Sequence, residues 1–183
     1  MKKIRVGIVG YGNLGKAIEK RIVLDDRFKP VVIFSRRNIK AKFLKTDNIA
    51  NMEKYKNKID IVFICVGSLK GLEDITYSCL KYFNTIDAFD THKKINGYIK
   101  RCGELAKQYN HTAYCSIGWD PGLFSIMRVI FTSIGEEVYT TWGKGVSQGH
   151  SEAIRRIKYV EDAIQYTVPN KNIVLHLLHT LFF

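Results

Sequence analysis

The fold is decided by a stretch close to the start of the chain, Ile4-Arg5-Val6-Gly7-Ile8-Val9-Gly10-Tyr11-Gly12-Asn13-Leu14-Gly15. Its first half is an apolar run of strand length, its second half is rich in glycine, and residues 16–24 continue in a helical pattern. A second apolar run, Val31-Val32-Ile33-Phe34, comes next. Strand, glycine turn, helix and strand in this order predict a βαβ unit, whose two strands pair in parallel.

The same alternation continues along the chain. Further strands are predicted over residues 61–66, 85–90 and 112–116, with helices over residues 77–82 and 94–109 between them. Strands that alternate with helices indicate the α/β class, here a doubly wound parallel sheet with helices on both faces, Rossmann-like.

The regular alternation of strands and helices in the sequence pattern ends after Ser116. The segment Gly118-Trp119-Asp120-Pro121-Gly122 leads into a predicted helix over residues 123–134. A strand from Val138, a glycine loop over residues 143–150 and a helix over residues 151–157 follow. We therefore place a domain boundary near residues 119–122, with a Rossmann-like domain over residues 1–120 and a second part of the chain over residues 121–183.

The glycines at positions 10, 12 and 15 stand where a dinucleotide-binding turn needs them. Gly10 makes the tight turn, Gly12 lets a pyrophosphate approach the backbone, and Gly15 lets helix and strand pack closely. The helix that follows offers free N–H groups and a positive dipole to phosphates. The alternative is a turn with a structural role alone, since a glycine triplet by itself is a weak signal.

The end of the second predicted strand distinguishes the two nicotinamide cofactors. A fold specific for NAD places an acidic residue there, against the ribose 2′-hydroxyl, whereas this chain has Ser35-Arg36-Arg37. Guanidinium groups donate paired hydrogen bonds to a phosphate, so we predict NADP as the cofactor. The alternative is that both arginines belong to the general basic surface.

Ligands of open parallel sheets lie beyond the carboxyl ends of the strands. In this chain those ends are residues 65–68, 90–92 and 116–120. Asp90 and Asp120 would then stand near the nicotinamide and could hold a substrate ammonium group. The alternatives are a turn carboxylate at Asp90 and a helix cap at Asp120, with Pro121 in the first helical position.

Composition and charge exclude several other classes of protein. The 183 residues carry 29 basic and 17 acidic side chains, a net charge of 29 − 17 = +12. No block of five or six cations occurs, so we expect no nucleic-acid partner. Four widely spaced cysteines and a histidine pair at 176 and 179 predict reduced thiols and no metal site. We expect no membrane span and no signal peptide, hence a cytoplasmic protein.

Four motifs together resemble one family. The motifs are Gly10-Tyr11-Gly12-Asn13-Leu14-Gly15, Phe34-Ser35-Arg36-Arg37, Gly118-Trp119-Asp120-Pro121-Gly122 and Ser147-Gln148-Gly149-His150-Ser151. They resemble meso-diaminopimelate dehydrogenase, in register from Ile4 to about Pro169. The resemblance implies an NADP-dependent oxidoreductase that deaminates the D-centre of meso-2,6-diaminopimelate to L-2-amino-6-oxopimelate and ammonia, in lysine and peptidoglycan precursor synthesis. It also implies a homodimer.

The resemblance implies roles for individual residues. Cofactor contacts are implied for the glycine turn and three further strand ends: Gly10, Tyr11, Gly12, Asn13, Leu14, Gly15, Ser35, Arg36, Arg37, Cys65, Val66, Gly67, Ser68 and His92. Substrate contacts are implied for Asp90, Asp120, Trp142, Gln148, Gly149 and Thr167, with Asp90 and Asp120 closest to the chemistry. The implied step is hydride transfer from the D-centre to the nicotinamide, followed by attack of water on the iminium ion.

The resemblance implies that residues 121–183 are the start of a truncated α+β domain for substrate and dimerisation. It ends after Pro169, where the family continues into a long substrate and dimerisation domain. The apolar residues 173–183 suggest a premature stop or a shifted reading frame, and the alternatives are a short buried helix or one part of a split gene. Competing functions are another NADP-dependent reductase, such as a dihydrodipicolinate reductase-like or homoserine dehydrogenase-like protein, and a non-catalytic NADP-binding remnant or sensor.

Overall fold

The structure, a computed structural model, describes residues 2–68, 71–135, 145–146, 151, 154–155, 157–169 and 174–181. The chain divides into two compact units, Met1–Ile130 and Phe131–Phe183. The domain boundary placed between residues 120 and 121 by the sequence stays a prediction.

The first unit is built on a six-stranded sheet. Its elements are β1 (Ile4–Val9), α1 (Asn13–Val23), β2 (Phe28–Ser35), β3 (Thr46–Asn48), β4 (Ile61–Ile64), α2 (Leu72–Cys79), β5 (Asn84–Asp87), α3 (Ile95–Tyr109) and β6 (Ala113–Tyr114), with 3-10 turns at Ile49–Tyr55 and His92–Lys94. The strand order is β3-β2-β1-β4-β5-β6, and every neighbouring pair is parallel. This is the order of dinucleotide-binding sheets, and it confirms the predicted doubly wound fold. Helix α4 (Leu123–Ile134) follows β6.

Alternate residues of the central strands supply the cores on the two faces of the sheet. Ile8 and Ile33 pack in one cluster with Ile22 of α1. Their neighbours Val9 and Phe34 pack in a second cluster, which also contains buried residues of α2 and α3. Because side chains alternate between the faces of a strand, helices that cover both faces require apolar residues at consecutive positions. The continuous apolar runs in the sequence follow from this requirement.

Strand β2 begins earlier than the sequence indicated, at Phe28 instead of Val31. The predicted strand started after Pro30, and proline cannot donate to a strand ladder. In the structure Pro30 faces only β1, since β3 pairs with β2 from Ile33 onward, and the pairing with β1 shifts between Val6 and Gly7. Because β3 does not extend alongside Pro30, the missing N–H of this proline costs no hydrogen bond to β3.

Helix α2 also differs from its prediction, spanning Leu72–Cys79 instead of residues 77–82. Leu72, Thr76 and Cys79 recur at helical spacing and are buried. The first turn carries Glu73 and Asp74, which the helix dipole favours there. The remaining strands and α3 match their predicted positions to within three residues at each end, and β3 was not predicted.

The second unit contains an antiparallel sheet of β7 (Gly145–Val146), β8 (Asp162–Pro169) and β9 (Val174–Leu181). The alternative of a short helix for the apolar tail is wrong, since β9 pairs with β8 along its whole length. Gly145 and Val146 pair with β8 instead of lying in a loop. Of the helix predicted over residues 151–157, residues 151, 154 and 155 are helical; the strand from Val138 lies outside the described residues.

Candidate functional site

The turn between β1 and α1 can be made only by glycine at two positions. Gly10 has φ +93°, and a Cβ there would lie 2.8 Å from the carbonyl oxygen of Cys65. A Cβ on Gly15 would lie 2.3 Å from the carbonyl oxygen of Gly10. Both distances are far inside van der Waals contact, so the close approach of α1 to β1 and β4 depends on these residues.

Gly12 differs from its two neighbours, because a Cβ on Gly12 would meet no atom within 4 Å. It precedes the first residue of α1, and the first turn of α1 contains no acidic residue. The opening N–H groups of a helix have no partner within the helix, and the dipole places partial positive charge there. The space above Gly12 is therefore suited to an anionic group such as a pyrophosphate.

Arg36 and Arg37 directly follow β2 and are exposed. The Arg37 backbone N–H donates to the Ser35 hydroxyl at 3.1 Å, which fixes the start of this loop. In the part of the chain that the structure describes, neither arginine side chain is in an ion pair. Both guanidinium groups are thus available to a ligand.

One cavity of about 490 Å³ brings these segments together. It is lined by residues of the glycine turn, the arginine loop and the end of β4: Val9, Gly10, Tyr11, Gly12, Phe34, Ser35, Arg36, Arg37, Ile49, Cys65, Val66, Gly67 and Ile75. None of these residues is acidic. The cavity lies over the carboxyl ends of β1, β2 and β4, where the strand order reverses direction.

A second cavity of about 360 Å³ lies in the same unit. It is mainly apolar and is lined by Leu14, Ile18, Phe63, Ile64, Ile86, Asp87, Ala88, Ile117, Gly118, Trp119 and Leu123. The glycine turn thus contributes to one cavity through Gly12 and to the other through Leu14.

A hydrogen bond joins the segments that follow β4 and β5, while the roles predicted for Ser68, Asp90 and His92 stay predictions. The backbone N–H of Asp90 donates to the Ser68 hydroxyl at 3.1 Å. Asp90 and His92 are both exposed. Burial raises the pKa of the Cys65 thiol to about 12, so Cys65 shapes the cavity as a neutral group and is no nucleophile at neutral pH.

The loops after β5 and β6 are joined by Asp87, which sequence reasoning missed. Its carboxylate is buried and accepts from the backbone N–H groups of Phe89 and Ser116, both at 2.9 Å, and from the Tyr98 hydroxyl at 2.6 Å. Burial and this hydrogen bond raise the pKa of Tyr98. An acidic residue inside an apolar strand was the available signal, because a buried carboxylate needs several donors.

Asp120 lies in a tight turn before α4. The predicted helix cap is wrong, because α4 begins only at Leu123 and the Asp120 carboxylate accepts from the Ser125 hydroxyl at 3.0 Å. The start of the helix is delayed because Gly118 and Gly122 pack backbone to backbone, where a Cβ on Gly122 would lie 1.9 Å from the Gly118 carbonyl oxygen.

Glu19 is a second residue that the sequence analysis missed. It is 1% exposed on α1 and accepts from the Tyr11 hydroxyl at 2.6 Å and from the backbone N–H groups of Phe43 and Leu44, both at 2.9 Å. Burial alone would raise the pKa of this carboxyl, but the hydrogen bonds, that from Tyr11 first, outweigh burial and lower it. The signal was its spacing from Gly15 and Ile22, which places it on the buried face of α1.

The substrate residues implied for the second unit are only partly described. Trp142, Gln148 and Gly149 lie outside the described residues. The Thr167 backbone lies in β8, opposite Gly145 and His176. Within the described residues, no group of three or more potential ligands could hold a metal ion, and no helix has the length and apolar character needed to cross a membrane.

Residues 118–179 match the family described as Diaminopimelic acid dehydrogenase C-terminal domain. The meso-diaminopimelate D-dehydrogenase of Ureibacillus thermosphaericus is 45% identical over 179 residues, 92% of this chain and 54% of that protein. The chain therefore spans about half the length of the curated relatives it matches.

Solved structures agree with the sequence relatives. The C. glutamicum DAP dehydrogenase in complex with DAP matches with a TM-score of 0.84 and 38% identity, over 94% of this chain and 54% of that one. An engineered D-amino acid dehydrogenase bound to NADP+ matches with a TM-score of 0.81 and 36% identity, over 93% and 54%. Along more than nine-tenths of its length, this chain is thus similar to meso-diaminopimelate D-dehydrogenases and spans about half of their length.

Proposed function

We propose that this chain binds NADP and supplies the cofactor-binding part of a meso-diaminopimelate D-dehydrogenase. The observation that carries the proposal is the cavity in which Gly12 and the arginine pair face the same space without an acidic residue. The residues fit NADP, since Gly12 leaves room for a pyrophosphate at the start of α1 and the guanidinium groups suit a 2′-phosphate. The structural relative bound to NADP+ supports this assignment.

The two cavities fit the two halves of the cofactor. The adenosine with its 2′-phosphate would lie in the cavity beside Arg36 and Arg37. The nicotinamide would enter the apolar cavity between Leu14 and Trp119, because a flat ring with few polar groups fits an apolar lining. The pyrophosphate would then cross the glycine turn between them.

The substrate residues follow from this placement. Asp120 is next to Trp119 at the second cavity, and Asp90 follows the neighbouring strand β5. Two carboxylates can hold the ammonium group at the D-centre by charge-assisted hydrogen bonds and direct its Cα–H toward the nicotinamide. NADP supplies the hydride acceptor when bound, so the protein groups position the substrate and need no nucleophile.

Cofactor titration by calorimetry tests the first part of the proposal. Removal of Arg36 and Arg37 by a double alanine substitution should weaken NADP binding by one to several decades, since each charge-assisted hydrogen bond is worth roughly 1.5–3 kcal/mol. NAD binding should barely change. Equal losses for both cofactors would show that the arginines support the fold and not a phosphate.

Gly12→Ala is a second variant for the same titration. The added methyl meets no protein atom, so stability should match the parent while both cofactors lose affinity. Unchanged binding would place the pyrophosphate elsewhere.

The substrate assignment needs a protein of full length. In a chimera in which this chain replaces the matching part of the Ureibacillus thermosphaericus relative, Asp120→Asn should retain NADP binding and strongly reduce NADP reduction with meso-diaminopimelate. Asparagine can still accept from Ser125, so the turn should persist. Turnover close to that of the unmodified chimera would contradict the role of Asp120.

The resemblance also favours a homodimer, which remains a proposal, and the cytoplasmic location expected from the sequence stays a prediction. Light scattering on the purified chimera should give twice the mass of one chain, and a monomer at micromolar concentration would contradict the dimer.

A further inference from the structure

Glu19 connects two segments that line the proposed cofactor site. We propose that its buried carboxylate is a positioning residue for recognition of the 2′-phosphate, because it ties the glycine turn to the far end of the arginine loop, residues 36–45. This inference rests on the proposed function, since the phosphate is that of NADP.

The hydrogen bonds of Glu19 span three parts of the chain. One carboxylate oxygen accepts from the Tyr11 hydroxyl in the glycine turn, and the other accepts from the backbone of Phe43 and Leu44. The Tyr11 hydroxyl in turn accepts from the Lys42 backbone N–H at 3.0 Å. A single side chain on α1 therefore holds both segments.

The arginine loop is attached at both ends and is exposed at Arg36 and Arg37. Its near end is fixed by the bond from the Arg37 backbone to Ser35. Its far end is fixed by Glu19, by the Ile33 N–H, which donates to the Lys45 carbonyl at 3.0 Å, and by the Thr46 hydroxyl, which donates to the Ile39 carbonyl at 3.2 Å. Without the carboxylate, the loop loses two of its fixed points at the far end.

The chemistry of the network requires a carboxylate. Its donors are two N–H groups and one hydroxyl, all neutral, and a carboxylate can accept all three. Glutamine can accept both N–H groups through its oxygen, but its NH₂ group faces the Tyr11 oxygen and leaves the hydroxyl proton without this acceptor. Glu19→Gln should therefore retain the far end of the loop and weaken its connection to the glycine turn.

The experiment measures NADP and NAD dissociation constants on the chain of residues 1–183 by calorimetry. The variants are Glu19→Ala, Glu19→Gln and Tyr11→Phe, each also combined with the Arg36 and Arg37 alanine substitutions. Glu104→Ala is the matched control, because Glu104 is an exposed glutamate on α3.

Glu19→Ala should weaken NADP binding about tenfold or more and NAD binding less than about threefold, as expected when a phosphate contact loses its geometry. Glu19→Gln should show a smaller loss, and Glu104→Ala none. In the background without the two arginines, Glu19→Ala should cause no further loss of NADP affinity. Circular dichroism checks that each variant is folded. If Glu19→Ala is not folded, the loss of NADP affinity relative to the loss of NAD affinity in Glu19→Gln and Tyr11→Phe decides.

Equal losses for NADP and NAD, or the same loss with and without the arginines, would overturn the inference and leave Glu19 with a structural role. A parent chain that prefers NADP through its arginines but is insensitive to Glu19 would overturn this inference alone. A parent chain that does not bind NADP would overturn the proposed function together with it.

Discussion

Removal of the Asp87 carboxylate should destabilise the first unit more than any other single change at the sheet edge. In Asp87→Ala the N–H groups of Phe89 and Ser116 and the Tyr98 hydroxyl all lose their acceptor. A buried donor without a partner costs about 1–3 kcal/mol, and three donors lose their acceptor here. We expect a loss of about 4 kcal/mol, a large part of the roughly 5–15 kcal/mol that stabilises a domain.

Asp87→Asn should cost less, about 1–2 kcal/mol, because the amide oxygen can still accept from both backbone N–H groups. Tyr98→Phe removes the hydrogen bond that the hydroxyl donates to Asp87 and retains the ring, which stacks on Phe89 with centroids 4.1 Å apart. If the Tyr98 hydroxyl acts through Asp87, the double variant Asp87→Asn/Tyr98→Phe should lose less stability than the sum of the losses in the two single variants.

Urea unfolding followed by circular dichroism measures these differences, with Asp74→Asn, an exposed aspartate on α2, as the control. In the cofactor titration, Asp87→Asn should change NADP affinity little, because its partners lie in the loops after β5 and β6. An Asp87→Ala variant within about 0.5 kcal/mol of the parent would refute the reasoning, since surface substitutions typically reach only that size.

Three further measurements test other parts of the first unit. Gly15→Ala places a methyl 2.3 Å from the Gly10 carbonyl oxygen, so it should lower the free energy of unfolding by about 1–3 kcal/mol in urea. Cys65, with its pKa raised to about 12 by burial, should resist iodoacetamide at pH 8 in the native chain and react in urea, and rapid native labelling seen by mass spectrometry would show an open loop. The Arg27 guanidinium lowers the pKa of Asp25 to about 2, so its contribution to stability is complete above the unfolded pKa of about 3.9 and is lost as the pH falls through 2. Asp25→Asn should flatten the acid unfolding curve in that window.

The fold could be predicted from the sequence where its signals are local. Consecutive residues determine the order of strand, glycine turn and helix, and the apolar runs identify the buried strands. Pro30 misplaced the start of β2 because its tolerance depends on where β3 begins, which no local pattern records. The cap predicted for Asp120 failed in the same way, since the approach of Gly118 to Gly122 delays the helix.

The residues of the candidate site also fall into two groups, those with a local sequence signal and those without one. The glycines and arginines that line the cavity were predicted because a known turn and strand end specify their positions. Glu19 and Asp87 were missed because their partners lie 24 to 29 residues away, at Phe43, Leu44 and Ser116. Sequence patterns locate the groups that face a ligand, while the groups that hold those segments in place depend on contacts between distant parts of the chain.

Glu19 and Asp87 are two buried carboxylates that do not draw on the cationic side chains of this chain, whose net charge is +12. Both buried carboxylates are satisfied by neutral N–H and O–H donors in the described contacts, and not by the side chains of basic residues. A buried carboxylate paired with Arg36 or Arg37 would neutralise the charge that an incoming phosphate needs. Backbone donors hold their geometry only if the loops that carry them are ordered, so the same hydrogen bonds that stabilise the carboxylates also fix the loops around the cavities. Stability and the proposed cofactor recognition are therefore coupled at Glu19, where a substitution should change both. At Asp87 a substitution should lower stability and change NADP affinity little, because the loops that it joins follow β5 and β6.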